Sequence, residues 1–177
     1  MNIVMRKGKA VGMRILMMGL MIGAMTMCGV QPVMAVSEAQ ETVIKERCES
    51  IKDNLKEVQR ADARMRVYLG GLYDEILANF ITPLNVRLVE NNLSTPELVE
   101  NQNKIVDTKT LFVNDFVSYQ QGLEELVLMN CKNEPGEFYN KLDKVRQKRK
   151  IVEQDTLRMR TLISNHVKLA TQLKGKL

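Results

Sequence analysis

The sequence predicts an all-α chain, arranged as an antiparallel three-helix bundle or a coiled-coil hairpin with a third, basic helix. Three observations predict it. Apolar residues recur at alternating spacings of four and three over long runs, the pattern of helices packed along a seam. Short clusters of turn and breaker residues separate those runs, and short connections between long helices make antiparallel neighbours. Aromatics are few (four Tyr, four Phe and no Trp in 177 residues), which suits a narrow seam better than a broad core.

The first 35 residues stand apart. Arg6, Lys7, Lys9 and Arg14 precede an uncharged apolar stretch from Ile15 to Val30. Gln31-Pro32 then breaks that stretch, and Val33-Met34-Ala35 places small aliphatic residues at the −3 and −1 positions of a cleavage site. This is the pattern of an export signal, cut before Val36. Two rivals stand beside it. The apolar run is only slightly shorter than the ~20 residues that span a bilayer, so residues 15–30 could remain as an uncleaved anchor. Cys28 could be lipidated, although Met27 occupies a position that wants a small residue. Residues 36–177 then form a single helical domain, placed outside the cytoplasm as a secreted or envelope protein.

Removing the signal changes the composition. The whole chain carries net charge +5, but residues 36–177 hold 22 basic and 21 acidic residues, and only three of the twelve Met. Near-neutral charge withdraws the electrostatic case for nucleic acid as a partner.

The first helical stretch is predicted over about 38–91, on a stripe of Ile44, Cys48, Ile51, Leu55, Val58, Asp62, Met65, Leu69, Leu72 and Ile76. Asp62 is the polar exception, read as a solvated edge or a partner for an Arg. Gly70-Gly71 interrupts the run, and each Gly weakens a helix by up to ~1 kcal/mol. Close approach of a neighbouring helix is the favoured explanation, and a hinge the other. Pro83 removes a donor and disfavours helix at Thr82, so a kink is expected near residue 83. A turn follows at Asn91-Asn92.

The second stretch, about 95–131, opens with Ser94 as cap, Pro96 in the first turn and Glu97 completing a capping box. Its stripe is Leu98, Ile105, Phe112, Phe116, Tyr119, Leu123 and Leu126. Lys132 to Gly136 breaks it. The third stretch, about 136–174, carries Phe138, Leu142, Val145, Val152, Met159, Ile163, His166 and Leu173.

Past the signal, two cysteines remain, Cys48 and Cys131. An even count in an exported chain predicts a disulfide, and an antiparallel hairpin brings both to the same end. The arm from the turn back to Cys48 is longer by about seven residues, roughly 10 Å of helix. A break at Pro83 would absorb part of that.

Reactive centres are not apparent. His166 is the single histidine, set on an apolar stripe, and is read as packed rather than catalytic; no second His or thiolate is present to build a metal site. Phosphate-cradling and dinucleotide patterns and a nucleophile elbow are absent, so neither cofactor nor metal is expected. The positive signal is charge segregation. Residues 36–136 carry net charge −6 and residues 137–177 carry +7. Lys141, Lys144, Arg146, Lys148, Arg149 and Lys150 crowd three turns. Either this basic helix packs on the acidic hairpin, or it presents a surface to an anionic partner such as a lipid headgroup, a wall polymer or an acidic protein.

The strings Arg47-Cys48-Glu49-x-Ile51-Lys52, Thr82-Pro83-Leu84-Asn85-x-Arg87-Leu88 and Lys144-Val145-Arg146-x-Lys148-Arg149-x-Ile151-Val152-x-Gln154-Asp155 resemble small exported helical proteins of candidate-phyla (Saccharibacteria-type) bacteria. The resemblance implies a bacterial envelope or secreted setting, and no activity or site residues. The expected role is therefore a non-enzymatic helical interaction or scaffold protein of the cell envelope, with protein partners and a homo-oligomer as the expected contacts. The alternatives are a holdase-like chaperone, similar in outline to the periplasmic Skp family but without its strand-rich core, and a binder of anionic envelope surfaces.

Overall fold

The computed structural model describes residues 36–93 and 95–174. The export signal expected over residues 1–35, with its expected cleavage after Ala35, and the expected cap Ser94 fall outside the described residues, as does Cys28. Every element among those described is helical, and no strand occurs. The chain forms a helical bundle.

Helix α1, Glu38–Glu46, starts with a capping box that the sequence reading passed over. The Ser37 hydroxyl accepts from the Gln40 amide, and the Gln40 side chain accepts from the Ser37 N–H. The first stretch is not one helix. Arg47, at φ −105° and ψ 15°, ends α1, and α2 (Cys48–Ile76) begins at the next residue. The break lets Ile44 turn into the core, beside Phe138 at the start of the last helix.

Near Pro83 the helix widens rather than stopping. Leu77–Ile81 forms a π-helical segment whose Thr82 N–H reaches back to the Leu77 carbonyl. A proline ring clashes with the carbonyl four residues earlier, here Asn79, and one wide turn makes room for it. Helix α3, Thr82–Glu90, carries on to Asn91. Asn92 then takes φ 57°, a left-handed conformation that Asn tolerates, and the chain reverses.

Helix α4 spans Pro96–Leu128. Its N-cap is Thr95 with Pro96 at the first helical position, and the Thr95 side chain makes no capping hydrogen bond. Helix α5, Pro135–Lys174, follows the predicted breaker. Contacts fix the directions. Asn101 meets Leu162 and His166, Ser118 meets Lys148, and Glu125 meets Lys141, so α5 runs antiparallel to α4. Asp62 meets Tyr119, Asp74 meets Lys109, and Asn85 meets Gln102, so the first stretch is antiparallel to α4 as well.

The core follows α4. All seven of its stripe residues are buried, and Tyr73, Phe112, Phe116 and Tyr119 form an edge-to-face ladder with centroids 5.5, 5.6 and 5.8 Å apart. Such pairs add about 0.5–1.5 kcal/mol each beyond burial. At one end Cys48 and Cys131 are joined in a disulfide, Cα–Cα 5.6 Å, across 83 residues. The shorter arm reaches because the chain turns extended at Met129 (φ −68°, ψ 148°). One residue at extended rather than helical rise gains about 2 Å. Constraint of so long a loop lowers the unfolded chain's entropy by the equivalent of about 4–5 kcal/mol at most.

The expectation of close packing at Gly70-Gly71 is overturned. A Cβ added at either residue meets nothing within 4 Å. The close approach occurs instead at Gly122, where a Cβ would stand 3.2 Å from Val145 Cγ2 of α5.

Candidate functional site

Helices α2 and α5 both lean on α4 and leave a groove of about 550 Å³ between them. Its floor is the aromatic ladder, Phe112 and Phe116, with Leu69 and Val152 on the flanks. Along α2 the lip is formed by Asp62 and Met65. Met65 is 52 % exposed although it belongs to the predicted stripe, and Val58, on the same stripe outside the groove, is 37 % exposed. Along α5 the lip is charged, with Arg146, Arg149, Lys150 and Glu153.

One polar bridge crosses the groove. Tyr119 donates to Asp62 Oδ2 at 2.7 Å, and Arg149 donates to the same carboxylate through Nε at 3.3 Å and Nη2 at 3.5 Å. Burial first, and then the Asp62 carboxylate, push the Tyr119 hydroxyl well above its ordinary value. The charge of Asp62 likewise raises the Arg149 guanidinium. Neither group titrates near neutrality, so the bridge is a fixed strut rather than acid–base machinery. Arg149–Asp62 is the one ion pair joining α2 to α5 among the described residues. The stripe's polar exception thus pairs with an Arg.

The six basic residues do not share one face. Lys141 pairs with Glu125 at 2.7 Å, and that hydrogen bond holds the Glu125 carboxyl below its ordinary value. Lys148 donates to the Ser118 carbonyl at 3.1 Å. With Lys144 these two line a furrow on the α4 side of α5. Arg146, Arg149 and Lys150 line the groove on the other side. Among the described residues Lys144, Arg146 and Lys150 make no ion pair. They are the charges left for a partner.

Two buried polar groups lie deeper. Asp155 is 5 % exposed and its Oδ2 has no partner. Burial first, then a hydrogen bond with Asp115 and that residue's charge, raise its carboxyl above the ordinary value. His166 is 2 % exposed, with Nδ1 3.3 Å from the Asn101 amide nitrogen and Nε2 unpartnered. The stripe of the third helix places His166 as a packed residue, whereas Asp155 could not be found from periodicity. An Asp between Val152 and Met159 reads as a solvated residue until the closeness of α4 is known.

No group of three or more His, Cys, Asp or Glu able to hold a metal occurs among the described residues, and no helix among them is long and apolar enough to cross a membrane. Comparison of the chain with protein-family models, curated proteins and solved structures gives no match.

Proposed function

We propose that this chain works outside the cytoplasm as a non-enzymatic helical interaction or scaffold protein of the cell envelope. Its groove between α2 and α5 takes an amphipathic partner helix with an acidic edge. The reading treats the first stretch, α4 and α5 as the legs of an antiparallel three-helix bundle with α4 in the middle. Residues 1–35 act as the export signal.

The observation that carries it is the uncovered seam. A stripe with coiled-coil spacing is normally buried by a neighbour, yet here Met65 stands open in a groove also lined by Arg146 and Lys150, which lack anionic partners within the described chain. An apolar strip bordered by positive charge suits a helix laid into a groove through residues spaced three and four apart. Electrostatic complementarity then sets orientation and association rate. The Cys48–Cys131 disulfide supports an extracytoplasmic setting, since such bonds persist in oxidising compartments.

A photo-crosslinker at Met65, with one at Val106 on the exposed side of α4 as control, tests this on intact cells. The Met65 probe is expected to capture one or a few partners, and Arg146→Glu with Lys150→Glu to abolish the capture while the helical signal is unchanged. Equal capture from both positions, or capture indifferent to the two reversals, contradicts the reading.

A further inference from the structure

Helix α4 has a second apolar side. Its core stripe faces α2 and α5, while Val99, Val106, Val113 and Val117 stand on the other side, 36 to 44 % exposed. Contacts mark the edges of this outer face. Lys109 reaches Asp74 of α2 and Gln102 donates to Thr82 of α3 along one edge, and Glu125 meets Lys141 of α5 along the other. The midline between them steps by four and three, from Val99 through Asn103, Val106, Thr110, Val113, Val117 and Gln120 to Glu124. That is the spacing of a coiled-coil seam, and all of these residues but Gln120 are exposed.

A seam of this spacing is covered by another helix, and charge identifies which one. From Val99 to Gln120 the midline carries no charged residue, and Lys109 at its edge is already tied to Asp74. Nothing there draws an acidic or a basic partner. The face that matches is a neutral one with valines in the middle and amides at the ends, and α4 itself has it. Two copies laid antiparallel, with a two-fold axis midway between Val99 and Glu124, set Val106 against Val117 of the second copy and Thr110 against Val113. Asn103 then meets Gln120, amide against amide, and Glu124 falls at the rim.

The flanking charges fit the same register. Asp107 falls opposite Asn114 and Glu100 opposite Gln121, all four exposed, so each carboxylate faces an amide donor and no like charges meet. A parallel pair would set Glu124 against its own copy, a repulsive contact. Size agrees as well. Val99 to Glu124 is about 38 Å of helix, and an arc of about 160° on a cylinder about 11 Å across covers about 600 Å² per copy. About 1,200 Å² for the pair is the lower edge of specific interfaces, which makes a reversible dimer rather than an obligate one.

We propose that the protein pairs with a second copy of itself through the outer faces of α4, antiparallel, with Val106 of each copy against Val117 of the other. The contact lies across α4 from the α2–α5 groove and stands whether or not that groove takes a partner. A dimer built this way turns its two grooves outward on opposite sides.

Sedimentation velocity across a micromolar concentration series is expected to show the mass rising from one chain to two. Val106→Glu and Val117→Lys, at exposed positions where folding is not at stake, are each expected to weaken association at least about a hundredfold with the helical signal unchanged. Mixed together, the two variants should associate more tightly than either alone. In the antiparallel register Val106→Glu of one copy faces Val117→Lys of the other, and the second Val106–Val117 pair stays intact. Val167→Glu, on the exposed side of α5, should leave the dimer unchanged. A mass of one chain throughout, unaltered association in Val106→Glu, or no recovery on mixing overturns the proposal. Loss of the dimer in Val167→Glu overturns it too, because the contact would then lie on α5. The Val106 crosslinker should join this chain only to itself, and a foreign protein captured there contradicts the pairing.

Discussion

Helices α2 and α4 carry apolar stripes of similar period, yet only one is covered. In α4 every stripe residue from Leu98 to Leu126 is buried, because α2 lies on one flank and α5 on the other. In α2 only Cys48 and Tyr73 are fully buried; Ile51, Leu55 and Leu69 are half-buried, and Val58 and Met65 are open. Period reports which face is apolar. How many neighbours that face meets depends on position in the bundle, and a helix with one neighbour keeps half its stripe for something else.

Substitution should separate the two helices sharply. Phe112→Ala removes the centre of the aromatic ladder and is expected to cost about 3–5 kcal/mol in urea denaturation. Met65→Ala is expected to cost about 0.5 kcal/mol or less, as for an exposed position. Comparable losses at the two would break the contrast. Next in size is the staple that ties the open helix to the covered one. Cys48→Ser with Cys131→Ser is expected to cost about 2–5 kcal/mol. A thiol count on denatured, unreduced protein should find none free in the unaltered chain.

A smaller effect lies on the covered side, between α4 and α5. Asp155 has a folded-state value raised above its ordinary 3.8, so the folded chain binds more protons than the unfolded one just above that pH. Its contribution is fully present below 3.8 and is lost as pH rises through the raised value. Asp155→Asn is therefore expected to stabilise at neutral pH by about 1 kcal/mol, with the gain vanishing in acid. Arg158 opposes the shift and Asp115 reinforces it, so Asp115→Asn should reproduce part of the effect. His166 has the opposite sign. Its folded value lies below 6.5, so its contribution falls away as pH drops below that point. Melting temperatures from pH 4 to 8 for Asp155→Asn and for His166→Phe separate the two slopes.

An effect of at most similar size, and of stabilising sign, returns to α2. Gly70→Ala and Gly71→Ala meet no neighbour and should each stabilise by up to ~1 kcal/mol. Gly122→Ala should gain less or lose, because Val145 stands at 3.2 Å.

Much of this was legible in the residues. The α4 stripe, the turn at Asn91-Asn92, the break before Pro135 and the pairing of Cys48 with Cys131 follow from period, turn chemistry and cysteine count. Asp62 was legible as a partner for an Arg, though not which one. The break at Arg47 was not, because the apolar spacing continues through it from Ile44 to Cys48. Ser37 and Gln40 did spell the capping box that starts α1. Tyr73 was hidden beside Leu72, since a stripe of this period admits either. The glycines misled for a similar reason: sequence marks where a Cβ is missing, and only the packing says whether anything fills the space. The basic run likewise reads as one patch along the chain, but a helix turns its residues to two sides, and half of them are held by Glu125, Ser118 and Asp62.

Val58 and Met65 leave part of the α2 stripe open to solvent, and the three methionines among residues 36–177 report on it directly. Met65 is 52 % exposed and Met159 fully buried, with Met129 between. Mild peroxide followed by peptide mass spectrometry should find Met65 oxidised about as fast as in the unfolded chain and Met159 protected. Addition of the crosslinked partner should slow Met65 alone. Equal protection of Met65 and Met159 in the isolated protein would mean that the stripe is already covered, and would contradict the account.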